Sequence, residues 1–162
     1  MREHLLWAGV TLALLTTACG GGSTASTTAT PAAPACVNAK AAHHAYLVVE
    51  HLSGATVQRC VGFAAAQLSG DDLMQQSGIE YQAQTFSGLG KAVCQVDNEP
   101  AQFTECFPKD KPFWASFVST GGGPWKEAQT GYASTSLKDG DALGWQYHAQ
   151  TAMPSPPPLP RK

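Results

Sequence analysis

The sequence lacks an excess of charge of either sign, with 10 basic against 12 acidic residues among 162 and only 14% charged. A chain without a basic face has no electrostatic footprint for nucleic-acid phosphates or for an anionic bilayer surface, so nucleic acid is not expected as a partner. It also lacks any apolar run of the roughly 18 residues that a membrane-spanning helix needs. The longest candidate, Leu5 to Leu15, is short and is interrupted by Gly9 and Thr11.

Motifs for catalysis and metal binding are missing too. There is no Gly-x-Ser-x-Gly elbow and no Cys/His nucleophile arrangement. Gly88-Leu-Gly-Lys-Ala-Val has Val93 where a dinucleotide fingerprint needs its third glycine, and Gly121-Gly122-Gly123 has no Lys-Ser/Thr after it to make a phosphate cradle. No Cys-x-x-Cys or His-x-x-x-His gives zinc its ligand spacing, and His43, His44, His51 and His148 are scattered. The expectation is a protein without enzymatic activity, metal or cofactor.

What is present begins at the N-terminus. Residues 1–18 carry a short charged head, the apolar stretch Leu5 to Leu15, and then Thr16-Thr17-Ala18 before Cys19, the layout of a secretory signal. Small residues against a cysteine resemble the lipobox of bacterial lipoproteins, in which the thiol is lipidated. The resemblance departs at Thr16, where Leu is preferred. It implies Cys19 as the lipid site, an extracytoplasmic protein anchored at the cell surface, and the membrane as a partner through that lipid. The alternative is an ordinary signal cleaved nearby, leaving Cys19 as a free thiol or disulfide partner.

Residues 19–35 continue from Gly20 as GGGSTASTTATPAAPA, which has no charge and no large apolar side chain and cannot offset its ordering entropy. This reads as a disordered tether reaching roughly 20–25 Å. At the other end, residues 151–162 are proline-rich and read as a stiff, extended, frayed tail. A single modest domain of residues 36–150 lies between.

Setting Cys19 aside leaves Cys36, Cys60, Cys94 and Cys106, an even number behind an export signal, which reads as two disulfides. Three pairings exist. Cys36 with Cys60 and Cys94 with Cys106 are favoured, since each closes a short local loop and the second would clamp the loop between two strands.

The periodicity is mostly that of strands. Residues 46–52 and 56–63 flank Ser53-Gly54 and read as a hairpin, although Val57, Cys60, Val61, Ala64, Ala65 and Leu68 also fit a helical stripe. One helix is expected over residues 70–77, capped by Ser69 with Asp72 three residues on, stapled by Leu68 and Leu73, and stopped by Gly78. Residues 80–86, 91–97, 112–119 and 142–148 read as further strands. In the last, Leu143, Trp145 and Tyr147 share one face, and Gly144, Gln146 and His148 the other. The fold class expected is α+β, a small β-rich domain with one short helix, flanked by disordered tethers.

Four elements in order, the Asp71 to Ile79 helix, SGLGKAVCQVDNEP, PFWASFVS and LKDGDALGWQYH, resemble the transcobalamin-like C-terminal domain family over about residues 45–148. That resemblance implies a β-grasp-like fold and binding of a small ligand, cobalamin or a related corrinoid, with delivery to a membrane importer. The helical partner domain of the eukaryotic members has no counterpart here, so a corrinoid would be covered on one face only. Loop aromatics Phe86, Trp114, Trp125 and Tyr132 are the expected ligand contacts, because flat rings suit a planar conjugated ligand. A second reading is a cell-envelope module that docks a protein or glycan through Trp114 and Trp125.

Overall fold

The computed structural model describes residues 33–162. The signal segment, Cys19 and the tether up to residue 32 lie outside the described residues. Ten strands and one α-helix follow in order: β1 (Cys36–Val37), β2 (His43–Glu50), β3 (Thr56–Phe63), β4 (Leu68–Ser69), α1 (Gly70–Gln76), β5 (Tyr81–Phe86), β6 (Gly90–Val96), β7 (Phe113–Ser119), β8 (Trp125–Glu127), β9 (Ser136–Leu137) and β10 (Ala142–His148). A 3-10 turn covers Tyr132–Ser134. The domain is β-dominated, with one short helix.

A six-stranded sheet runs β1-β3-β2-β10-β7-β8, and β4-β9 and β5-β6 form two small pairs. The hairpin expected around Ser53-Gly54 is β2 against β3, with Ala45 opposite Val61 and Val49 opposite Val57. Strand wins over the helical stripe because period two puts Val57, Val61 and Phe63 on the core face of a paired strand. The closing strand β10 inserts parallel to β2 and antiparallel to β7.

Alternation along β10 works as the pattern requires. Leu143, Trp145 and Tyr147 join the main core with Leu47, Val49, Val61, Leu73, Met74 and Tyr132. Helix α1 covers this face: Leu73 and Met74 are fully buried, Ser69 Oγ accepts the Asp72 N–H at 3.0 Å, and Gly78 ends the helix at φ +70°. The second face of β10 is not left to solvent, since Gly144, Gln146 and His148 are buried as well.

What covers that second face corrects two expectations. The residues after 150 do not fray. Ser155 and Gln146 exchange two hydrogen bonds, at 2.8 and 2.7 Å, and Pro157 is buried on the sheet. Nor is Trp125 a free indole in a turn: a Cβ on Gly144 would lie 2.9 Å from Pro157 Cγ and 3.0 Å from the Trp125 ring. A glycine floor lets a ring and a proline lie flat on the strand, and apolar area removed from water holds them there.

The disulfides are Cys36–Cys60 and Cys94–Cys106. The first staples the edge strand β1 to its register partner in β3. The second bridges β6 to the long loop before β7. Disulfides of this kind belong to oxidising, extracytoplasmic compartments. Among the described residues no helix is long and apolar enough to cross a membrane.

Candidate functional site

A cleft of about 660 Å³ lies between β6, the start of β7, the end of β10 and the loop of residues 97–112. Its construction starts at a tight turn. Asp97 and Asn98 both adopt positive φ, at 48° and 62°, and Val96 and Glu99 exchange backbone hydrogen bonds at 3.0 and 2.8 Å. Two successive left-handed residues are what a two-residue hairpin turn demands, and Asp and Asn tolerate that region better than most side chains. The Glu99–Pro100 bond is cis.

Four side chains then fix the loop's first residues. The Trp114 indole donates to the Glu99 carbonyl at 3.0 Å, and His51 Nδ1 lies 2.8 Å from Glu99 Oε2. Gln95 donates to the Pro100 carbonyl at 2.6 Å and accepts from Gln82 at 2.7 Å. The Cys94–Cys106 disulfide draws the far part of the loop back over β6, and the Pro108 carbonyl accepts from Gln150 at 2.9 Å. The loop is therefore held at both ends and in the middle.

The cleft wall mixes rings and amides: Phe103, Phe113 and Tyr147 with Gln82 and Gln95, and Lys111 and Glu105 as charges of opposite sign. Burial pushes the Tyr147 hydroxyl above the usual phenol range, with the Glu99 charge adding to it, so the cleft meets a ligand with a neutral phenol. Rings interleaved with amide groups and with one charge of each sign suit a small molecule that carries polar edges.

The four aromatic residues expected to contact ligand do not gather here. Trp114 is 3% exposed and Tyr132 1%, both in the core, where Tyr132 stands edge-on to Trp145 with ring centroids 5.4 Å apart. The Tyr132 hydroxyl donates to Asp71 at 3.3 Å, and burial pushes its pKa well above the phenol range. With Trp145 these two rings line a separate hollow of about 130 Å³. Phe86 ends β5, half-buried against Phe107 at 5.4 Å, and it does not line the cleft. Trp125 covers the opposite face of the sheet from Trp114, so the two indoles share no surface.

The reason is tertiary. An aromatic residue in a sequence-defined loop looks exposed, but a 3-10 turn packed under α1 takes Tyr132 inside. The residues that do line the cleft, Gln82, Gln95, Phe103, Phe113 and Tyr147, carried one usable signal, the Cys94 and Cys106 pair bracketing a loop.

The histidines serve separate contacts. His51 Nε2 and Nδ1 face Asp97 at 3.5 Å and Glu99 at 2.8 Å, so its two carboxylates sit on opposite sides of one ring. His43 packs on Phe63, and His148 on Phe113 at 4.3 Å. Among the described residues no group of three His, Cys, Asp or Glu side chains is placed to hold a metal ion.

No protein-family model matches the chain. A search of curated proteins gives no match. Among solved structures, a protein from Ruminococcus gnavus for which metal binding has been proposed is similar, with a TM-score of 0.45 and 18% identity, over 66% of this chain and 97% of that one.

Proposed function

We propose that this protein is an extracytoplasmic small-ligand-binding protein, anchored by a lipid on Cys19, whose ligand occupies the cleft under the residue 97–112 loop. The cleft itself carries the reading: about 660 Å³ falls within the roughly 300–1,000 Å³ range of small-molecule sites, and its wall is cross-linked and hydrogen-bonded in place. Such preorganisation lowers the ordering cost of binding.

The finer reading is a transcobalamin-like domain of β-grasp-like fold that binds cobalamin or a related corrinoid and hands it to a membrane importer. Support comes from the motif order and from the topology, in which hairpin β2–β3 and helix α1 are followed by a closing strand parallel to β2. The cleft is open on one side, so a corrinoid would present its other face to the importer.

Calorimetric titration of the full chain with cobalamin and with cobinamide tests this. Binding that weakens about tenfold or more in Phe103→Ala is expected, a loss of roughly 1.4 kcal/mol. No heat at hundreds of micromolar removes the corrinoid version. Palmitate labelling that disappears in Cys19→Ala tests the anchor independently.

A further inference from the structure

The smaller hollow of about 130 Å³ is distinct from the cleft, since Phe113 is the one residue common to both linings. Its lining includes three buried rings, Trp114, Tyr132 and Trp145. Main-chain bonds hold the walls in place. The Gly131 N–H donates to the Leu89 carbonyl at 2.6 Å, and a Cβ on Gly131 would lie within 2.6–2.7 Å of backbone atoms of Leu89 and Lys91, so these two segments touch directly. Elsewhere in the lining the Ala128 N–H donates to the Ser116 carbonyl at 2.8 Å, which ties the end of β8 to β7.

The exposed part of the lining is apolar as well. Leu89 and Phe107 are 37% and 42% exposed, two of the six large hydrophobic side chains that stand exposed among the described residues. A single exposed apolar side chain needs no explanation, but two from separate loops on the rim of one ring-lined hollow make an apolar entry. Phe107 is braced by Phe86 and Phe113, with ring centroids 5.4 and 6.0 Å away. Lys91, the cation of the lining, is tied to both oxygens of Asp71 at 3.0 and 2.8 Å. An anionic guest would therefore meet a cation already neutralised and the exposed Glu127 carboxylate.

We propose that this hollow is a second binding site, one that takes a neutral small molecule the size of a single aromatic ring. Its volume is close to the roughly 150 Å³ of an apolar cavity that takes benzene, and water among such walls finds few polar partners. Walls made of rings favour an aromatic guest over an aliphatic one of like size, by roughly two- to tenfold in affinity. Trp114 and Tyr132, which the sequence marks as contacts for a flat ligand, serve this site and not the cleft. The site stands whether or not the cleft binds a corrinoid.

Titration of the full chain with phenol and with 1-pentanol, followed by NMR at pH 7, tests this, because both probes are neutral there. Nuclear Overhauser contacts from the phenol ring protons to side-chain protons of Trp145 and Tyr132 are expected, with phenol binding roughly two- to tenfold tighter than pentanol. Phe107→Ala, at an exposed position, is expected to weaken phenol about threefold or more by removing apolar contact area, and Leu89→Ala is the second variant should the first not fold. Contacts to Phe103 and Tyr147 in place of Trp145 and Tyr132 would put the ring in the cleft and overturn the proposal. So would the absence of any contact at about 10 mM phenol, which marks affinity too weak for a formed site. Pentanol bound as tightly as phenol, or parental phenol affinity in the folded rim variant, also overturns it.

Discussion

Gly70 and Gly78 bracket the helix for different reasons. Gly78 sits at φ +70° with open space around it, so its requirement is conformational, and a helix stop written as glycine is visible in the sequence. Gly70 has no such signature; a Cβ there would stand 2.1 Å from the Tyr132 carbonyl oxygen, a backbone atom that cannot swing away. Gly70→Ala is therefore expected to destabilise by on the order of 2–3 kcal/mol. Gly78→Ala, which meets only backbone strain, should cost about 1 kcal/mol. Urea unfolding checks both, as a lowered midpoint with an unchanged slope. A Gly70→Ala protein as stable as the parent would mean that α1 and the 3-10 turn are not in contact at that point.

Among the elements, the loop of residues 97–112 depends most on its cross-link. The Cys94–Cys106 bond closes a separation of 12 residues, and its removal by Cys94→Ser with Cys106→Ser is expected to cost about 2–4 kcal/mol. Because the loop roofs the cleft, ligand affinity should fall with it. Cys36→Ser with Cys60→Ser, which frees only the two-residue β1, should lower stability and leave affinity close to the parent's. Thermal melts and titrations on both double variants separate the two effects. The hairpin, the helix and the strand of residues 142–148 were legible because local alternation and caps specify them. The strand β8 was not. Three residues after a glycine run have no periodicity of their own, and only pairing of Phe117 to Ser119 with them makes a strand.

At the scale of the whole domain, three groups among the described residues hold their protons more tightly in the folded state than in the unfolded chain. Burial raises Tyr132 and Tyr147 above the ordinary 10.0, and a hydrogen bond from Lys91 to Asp71 raises Lys91 above 10.5. A raised folded value contributes stability fully below the unfolded pKa and loses it as pH rises through the folded one. The melting temperature is thus expected to hold from neutral pH to about pH 9.5 as far as these groups decide it, then to fall with increasing alkalinity. Tyr132→Phe should flatten part of that fall, which differential scanning calorimetry from pH 8 upwards would read. An unchanged alkaline slope in Tyr132→Phe would mean that its hydroxyl ionises as freely folded as unfolded.

Short-range chemistry determined much of this protein from its sequence. Alternating apolar residues selected the strands, Ser69 and Gly78 marked the ends of the helix, and four cysteines in two local pairs marked the staples. The strands and the helix ends depend on neighbours a few residues away, and the cysteine pairs on partners 24 and 12 residues off with no crossing between them, so the sequence carries the information. Only the tertiary structure decided where the aromatic residues went and what the tail does. Whether Trp125 is a free indole depends on a glycine 19 positions later and a proline 13 beyond that, placed against it by the parallel insertion of β10. The cleft likewise exists because a disulfide and a glutamine pair hold a loop over the sheet edge, a juxtaposition of distant segments that no local pattern encodes.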